Sequence, residues 1–276
     1  MIDPHMLLRK LIQASDLDWR AVMTKGCGVR YLLSKWGSII LNKRQMTYLG
    51  RPINYDSYFS PFFMFSFVDE IERHVIKYIP TEQPIVLDIG ANYGGWAQTV
   101  KSMIPSAKLY SFEPNTDIFD ILKKNSSRFD EWLVFNIGIS SMNTMSDFFY
   151  IPGKSGQGSV FEDNSELDVL SDSPPRKITV NLRRFDKTDL YENGVTYFDF
   201  IKIDVEGAEL DVIKGLAAIK WNYMYIEATW GKGRRGSNEQ ELLDEIMKLW
   251  DNVEILERTV TSANTIDLLF RATRFC

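Results

Sequence analysis

At 276 residues, with 45% hydrophobic and 25% charged side chains, the chain is long enough to bury one sizeable core plus an appendage. A net charge of −5 and a pI near 5.3 argue against a nucleic-acid-binding surface as its main business, because phosphate contacts need clustered Lys and Arg. Cys27 and Cys276 make no disulfide framework, no Cys/His spacing suggests zinc, and no apolar run approaches the roughly 18 residues of a membrane span. A protein of the reducing cytoplasm without a membrane span is expected.

Residues Met1-Ile-Asp-Pro-His-Met6 resemble a cloning remnant ahead of a start at Met6 and are set aside. Leu7, Leu8, Leu11 and Ile12, then Tyr31, Leu32, Leu33, Trp36, Ile39 and Ile40, recur at spacings that suit short amphipathic helices. They predict an N-terminal helical extension over residues 1–79. It would serve as a substrate-binding module, as the contact that makes a homo-oligomer, or simply as a cover over one edge of a sheet. Phe62-Phe-Met-Phe-Ser-Phe-Val68 is the most apolar patch. It runs into a stretch where Val68, Ile71, Val75 and Tyr78 share one helical face, so a core-packing helix is expected there in preference to a membrane-docking one.

From residue 84 the pattern alternates: strands at 85–89, 107–112 and 132–137, with helices at 94–103 and 116–124 between them. This is the start of a parallel, doubly wound α/β sheet. Residues 145–151 and 177–182 read as two further strands. The intervening stretch, Gly-rich at 152–159 and then acidic and Ser- and Pro-rich to Pro175, has loop composition and reads as a mobile lid or a plain solvated loop. Strand 198–205, helix 207–217, strand 222–227 and helix 239–250 follow, and 253–256 with 266–271 form a closing antiparallel pair. Neither an internal repeat nor a low-complexity tract is visible.

Two apolar runs end abruptly in acidic and glycine residues, as a buried strand does when it delivers polar groups to a site. The first, Ile85 to Gly95, reads as strand, tight turn and helix, whose glycines let backbone N–H groups approach a ligand. Glu113 closes the next strand, where it could grip a ribose. A dinucleotide-binding turn would have glycine where this chain has Asn92, whose side chain crowds the place of a pyrophosphate. A nucleoside without phosphates fits better, and S-adenosylmethionine is one.

The segments Asp88-Ile-Gly-Ala-Asn-Tyr-Gly94, Phe112-Glu113-Pro114 and Ile201-Lys-Ile-Asp-Val-Glu-Gly-Ala-Glu209, with Gly215, resemble the motif set of the FkbM-type S-adenosylmethionine-dependent methyltransferases. The resemblance covers roughly residues 80–272. It implies a class I methyltransferase fold over 80–276: a Rossmann-like, mostly parallel seven-stranded sheet with an antiparallel final strand. It also implies methyl transfer to a hydroxyl of a sugar, glycan or natural product, with S-adenosylhomocysteine as product. Asp88, Gly90, Ala91, Asn92 and Gly94 would then line the methionine end of the cofactor, Glu113 would accept from the ribose hydroxyls, and Asp204 would border the same site. Asn136 would lie near the adenine, unless it only caps a strand end.

Methyl transfer to oxygen is an in-line displacement, so the enzyme must position the hydroxyl and remove its proton as charge develops. The 2 histidines are His5, in the set-aside segment, and His74, upstream of the core, so a histidine base is not expected. That leaves carboxylates, Lys202 or a bound cation. Lys202, Asp204 and Glu206 would share one face if their strand runs to Glu206. Asp204 is the first choice for the base or the acid that orients the acceptor, and Lys202 is placed to pair with it. Glu206 and Glu209 stand where a helix N-terminus favours anions, so capping accounts for at least one of them. Asp204, Glu206 and Glu227 offer oxygen ligands that suit magnesium, but their spacing is not a recognised metal signature and no metal is expected. The loop Gly231–Gly236, with Lys232, Arg234 and Arg235, could join Glu227 in holding an acidic or phosphorylated acceptor, or be merely solvated. Two rivals remain: an RNA or other nitrogen methyltransferase, disfavoured by the acidic pI and the lack of an Asn-Pro-Pro-Tyr-type motif, and a non-catalytic cofactor-binding scaffold that regulates a partner, disfavoured by the intact Asp88, Gly90, Glu113 and Asp204.

Overall fold

The runs of β-branched and aromatic residues that alternate with amphipathic stretches do form strands and helices in the computed structural model, which describes residues 28–41, 43–56, 60–79, 81–153, 158–160, 176–230, 238–262 and 264–272. The chain opens with helix α1 (Gly28–Ile40), a hairpin of β1 (Gln45–Tyr48) and β2 (Arg51–Asn54), and helix α2 (Ser60–Glu70), which runs on into a π-helical turn, Ile71–Ile76. Then come β3 (Ile85–Ile89), α3 (Gly95–Met103), β4 (Lys108–Phe112), α4 (Thr116–Ser126), β5 (Trp132–Phe135), β6 (Gly138–Ile139), β7 (Thr144–Tyr150) and β8 (Arg176–Arg183). The last part holds α5 (Asp189–Glu192), β9 (Tyr197–Ile203), α6 (Glu209–Gly215), β10 (Lys220–Thr229), α7 (Glu239–Leu249), β11 (Val253–Ser262) and β12 (Thr265–Ala272).

Seven strands make one sheet in the order β11-β12-β10-β9-β3-β4-β5. The five from β10 to β5 are parallel, while β12 is antiparallel to both β10 and β11. This is the doubly wound, class I methyltransferase arrangement that the motifs imply. From β3 the chain proceeds outward to β4 and β5, and it returns to the other side of β3 for β9 and β10. The strand order therefore reverses between β3 and β9, and ligands of open α/β sheets bind beyond the carboxyl ends at such a point.

Alternate residues of each strand feed two cores. Leu87, Ile89, Ile201, Ile203 and Ile226 face one side, with Val212, Ile213 and Trp221. Val86, Phe200 and Tyr225 face the other, under Trp96, Ala97 and Val100 of α3. Because both faces are covered, β9 reads as a mostly apolar run broken by Asp199 and Lys202.

The expected strand 132–137 divides. It leaves the large sheet after Phe135, and Gly138–Ile139 instead pairs with β8 in a separate three-stranded sheet of order β6-β8-β7. A Cβ at Gly138 would lie 2.6 Å from Leu182 Cδ2, so a larger residue at this crossing would have to displace the end of the Leu182 side chain. The small sheet is tied to α6 as well: a Cβ at Gly215 would lie 2.3 Å from the Ser140 carbonyl oxygen, and Ser141 Oγ donates to Asp211 Oδ1 at 2.7 Å.

The described part of the extension is not purely helical, a correction to the periodicity reading. Leu49 and Gly50 both take positive φ, 47° and 80°, and close a two-residue hairpin. Burial on α1 does not follow polarity at every described position. Lys35 and Ser38 are buried while Leu33 and Ile40 are 69% and 76% exposed. Hydrogen bonds dock the polar side: Ser34 Oγ accepts from Thr47 N at 2.6 Å, and the Tyr55 hydroxyl donates to Ser38 Oγ at 2.9 Å. The hairpin in turn packs on α3 and α4. Tyr48 Oη donates to the Met64 carbonyl at 2.6 Å and lies 2.9 Å from Thr99 Oγ1. Residues 1–27 lie outside the described residues.

Asn125 of α4 is the polar hub of that contact. Its Oδ1 accepts from Asn54 N at 2.9 Å, and its Nδ2 donates to the Asn54 and Tyr93 carbonyls at 2.8 and 2.7 Å. Asn125→Ala would strand these buried groups, so it should lower stability by about 3 kcal/mol, seen as a lower urea midpoint at unchanged slope. A loss under about 0.5 kcal/mol would show that the hairpin's seat does not depend on this side chain.

Candidate functional site

The ends of β3 and β9 are locked main chain to main chain. Gly90 N and Ala91 N donate to the Phe112 carbonyl at 3.1 and 3.0 Å, and Asp204 N donates to the Ile89 carbonyl at 3.0 Å. Gly90 has φ +81°, and a Cβ there would fall 1.8 Å from the Asp204 carbonyl oxygen. The turn then passes through Asn92, also left-handed at φ 53°, whose Oδ1 accepts from Tyr93 N at 2.8 Å. Gly94 caps α3 at φ +87°, pressed against Leu122 and Trp132.

Glu113, at the end of β4, is 7% exposed and organises two backbone segments. Its Oε2 accepts from Asn92 N at 2.9 Å and its Oε1 from Asn115 N at 2.8 Å. Burial raises its pKa to about 7 against the pull of those two amides. Each carboxylate oxygen keeps a further acceptor position. Asn136 is held as a strand-end cap, donating to the Glu113 and Pro114 carbonyls at 2.9 and 3.1 Å and accepting from Thr116 Oγ1 at 3.3 Å.

One face of the sheet carries a polar row across β4, β3, β9 and β10, because Ser111, Asp88, Lys202 and Tyr225 are successive register partners. Trp132 Nε1 donates to Ser111 Oγ at 3.0 Å, and Ser111 Oγ donates to Asp88 Oδ2 at 3.3 Å. Asp88 is fully buried, its Oδ1 has no protein partner, and burial lifts its pKa to about 6 while Lys202 pulls it down. Lys202 is 4% exposed. Its Nζ donates to Asp204 Oδ2 at 2.9 Å and lies 5.8 Å from the centre of the Trp96 ring. Burial alone would lower its pKa, but Asp204, Asp88 and Glu70 together raise it, so it stays a cation. Glu227, whose partner on β12 is Asp267, is held far above the carboxylate range, first by the charge of Asp204 and then by burial.

The site also gathers Glu70 from α2, which no motif pointed to. Burial raises its pKa to about 7, opposed by Lys202 and reinforced by Asp204. The available signal was an acid at the end of the apolar run from Phe62 to Ile71, a place where an unpartnered carboxylate would be costly.

Glu206 departs from expectation. β9 ends at Ile203, and the chain turns through Glu206 at φ 53° and Gly207 at φ 106° to enter α6, so Lys202 and Asp204 are not joined by Glu206 on one strand face. The Glu206 carbonyl accepts from Ser159 Oγ at 3.0 Å, and Ser159 exchanges two backbone hydrogen bonds with Phe149. This is the described portion of the candidate lid. Glu209 caps that turn, its Oε1 accepting from Gly207 N at 2.8 Å. His74 serves packing: it stacks on Tyr225 at 4.7 Å and its Nε2 lies 3.2 Å from Glu257 Oε2. Lys232, Arg234 and Arg235 lie outside the described residues. Among the described residues no three His, Cys, Asp or Glu side chains form a metal-holding group, and no helix is long and apolar enough to cross a membrane.

Residues 88–255, spanning the glycine turn, Glu113 and the Lys202–Asp204 pair, match the Methyltransferase FkbM domain. The chain belongs to this FkbM methyltransferase family. Among similar proteins, the 2-O-methyltransferase NoeI of Sinorhizobium fredii is 31% identical over 53% of this chain and 63% of its own length. The hexuronic acid methyltransferase AglP of Haloferax volcanii is 27% identical over 64% of this chain and 72% of its own, and the methyltransferase sdnD of Sordaria araneosa 26% identical over 53% and 66%. This FkbM-family chain thus spans a little under two thirds of the NoeI protein.

Glu113 and Glu209 give the family member a testable pH signature. Both keep a proton in the folded state up to about pH 7, whereas the unfolded chain releases it near 4.5. Between those values the native state binds more protons than the unfolded one, so these groups make stability fall as pH rises through the window. Glu209→Gln retains an oxygen for Gly207 N and removes one titration. The stability difference between pH values of about 5 and 7.5 should shrink by on the order of 1–3 kcal/mol in urea denaturation. An unaltered difference would show that Glu209 titrates as an ordinary carboxyl.

Proposed function

We propose that this FkbM-family protein is an S-adenosylmethionine-dependent O-methyltransferase acting on a hydroxyl of a sugar, glycan or other natural product. The observation that carries the reading is the ion pair between the buried Lys202 and the partly exposed Asp204, 2.9 Å apart, held beside the Gly90–Gly94 turn at the strand-order reversal. The similarity to NoeI, a 2-O-methyltransferase, and AglP, a hexuronic acid methyltransferase, supports oxygen as the accepting atom and sugars as the acceptor class.

The residues fit that cofactor. The close approach at Gly90 leaves only backbone where a methionine tail would pass. The unpartnered, buried Asp88 Oδ1 is an acceptor suited to a cationic group. Glu113 ends β4 with open acceptor positions suited to the ribose hydroxyls, and Asn92 takes the place of the glycine that a pyrophosphate needs. Asp88, with the backbone of Gly90, Ala91, Asn92 and Gly94, would hold the methionine end, and Glu113 the ribose. When bound, S-adenosylmethionine supplies an electrophilic methyl group. Asp204 takes or orients the proton of the acceptor hydroxyl, and Lys202 fixes the carboxylate that does so. Glu227, which keeps its own proton beside Asp204, can donate a hydrogen bond to an acceptor oxygen.

Calorimetry should show binding of S-adenosylhomocysteine and discrimination against NAD. Above about pH 7, where Glu113 is ionised, Glu113→Ala should weaken that binding by roughly 1.5–3 kcal/mol, the worth of hydrogen bonds to a charged group. Tight NAD binding without S-adenosylhomocysteine binding would sink the cofactor assignment.

Asp204→Asn should leave cofactor affinity nearly unchanged and lower turnover about 10²–10⁴-fold in a methyl-release screen over uronic acids, glycans and hydroxylated metabolites. Running the unmodified protein with a chelator and then with magnesium separates a direct role for Asp204 from service as a metal ligand. Near-normal turnover of the folded variant in every condition would leave Asp204 structural.

A further inference from the structure

The hairpin, the end of α3 and the segment between α4 and β5 enclose a cavity of about 300 Å³, whose lining includes Arg51, Lys101, Arg128, Phe129 and Asp130. It lies at the opposite end of the strands from the rim described above. Lys101 stands in the last turn of α3, shortly before β4 begins at Lys108, and Arg128 to Asp130 lead into β5 at Trp132, so the cavity adjoins the amino ends of those strands. Its volume is at the lower end of the range for small-molecule pockets, which limits the occupant to a small one.

Three cations from three parts of the chain line it. Lys101 is 3% exposed, and its Nζ donates to the Pro105 and Ala107 carbonyls at 2.8 and 2.6 Å, which leaves one of its three N–H groups unspent. Burial pulls its pKa down, against the charges of Glu131 and Asp130. Arg51 Nη1 donates to the Arg128 carbonyl at 2.8 Å, and its guanidinium sits over the Phe129 ring, 4.6 Å from the centroid. Arg128 Nη1 reaches the other way, to the Pro52 carbonyl at 3.4 Å and Asn125 Oδ1 at 3.0 Å. Each arginine is thus anchored on the other's stretch of main chain and not on an acid. Among the described residues none of these three cations forms an ion pair, whereas Arg184, Arg258 and Arg271 each do. Like charges around one cavity repel, and the exposed Asp130 offsets only one of them.

We propose that this cavity is a second ligand site that takes the phosphate group of a small molecule: the forks of Arg51 and Arg128 grip its oxygens, and Lys101 supplies the third charge. A carboxylate would bring one charge to three cations, whereas a phosphate monoester brings nearly two at neutral pH, and guanidinium groups match its oxygens in two-point contacts. The site is independent of the methyl transfer proposed above. Arg51 belongs to the hairpin, while Lys101 and Arg128 belong to the 88–255 segment that matches the family, so an occupant also clamps the N-terminal extension onto that segment.

Calorimetry of the full chain at fixed ionic strength, with inorganic phosphate and with glucose-6-phosphate as probes, tests this site. Saturable binding at a single site per chain is expected. Arg51→Gln keeps a donor for the Arg128 carbonyl but loses the charge, and should weaken binding about tenfold or more. Arg128→Gln, on a different part of the chain, should do the same, so the result does not hang on the folding of one variant. Arg258→Gln removes an equal charge from the Glu239 pair and should leave the affinity unchanged. Tighter binding of glucose-6-phosphate would identify a sugar phosphate as the occupant, and equal binding of the two probes would identify phosphate itself. Absence of binding by both probes, or unchanged affinity in a folded Arg51→Gln or Arg128→Gln protein, overturns the proposal.

Discussion

A single buried ammonium, that of Lys202, is the charge around which the site is arranged. Removing a lysine from water costs several kcal/mol unless carboxylates surround it. Here Asp204 pairs with it directly, and Asp88 and Glu70 act on it from β3 and α2. With Glu227 and Asp267 nearby, acids outnumber the cation, so they cannot all be ionised together. The excess resolves as a proton retained by Glu227, which gives the rim a hydrogen-bond donor at neutral pH without a histidine.

The ammonium can be buried because the backbone around it is inflexible. Gly90 and Asp204 approach so closely that no side chain fits between them, and the amides after β3 and β9 are consumed by neighbouring strand ends. Glu113 extends the same logic to the next turn by tying Asn92 to Asn115. The ligand-facing turns are thus parts of the sheet's own hydrogen-bond system, and this agrees with a site whose polar groups are preorganised.

Much of this was legible in the sequence. The parallel, doubly wound sheet followed from strand-length apolar runs ending in Asp88, Glu113, Asp204 and Glu227, since strand periodicity alone brings such ends to one rim, while its seven strands and antiparallel end were what the family resemblance implied. The pairing of Lys202 with Asp204 followed from their two-residue spacing. Where the reading failed, tertiary context had overruled local pattern. The conditional placing of Glu206 on the strand face failed because positive φ has no signature in a glutamate. The hairpin at Leu49-Gly50 lacks the Asn-Gly or Asp-Gly pair that announces such turns. Helix α1 buries Lys35 and Ser38 and exposes Leu33 and Ile40, with side-chain hydrogen bonds that hydrophobic spacing does not reveal. Glu70 escaped notice for a simpler reason: the charges that act on it, at Lys202, Asp204 and Asp267, are more than a hundred residues away in the chain.

The small sheet has a mechanical consequence. It touches the β9–α6 junction at two places, through Ser159 on the Glu206 carbonyl and through Ser140 packed against Gly215 at the other end of α6. A body attached at both ends of a helix cannot pivot about either end alone. Any opening on that side of the rim must therefore carry α6 along with it or come from a segment outside both anchor points, and the Glu206–Gly207 turn acts as a fixed abutment rather than a hinge.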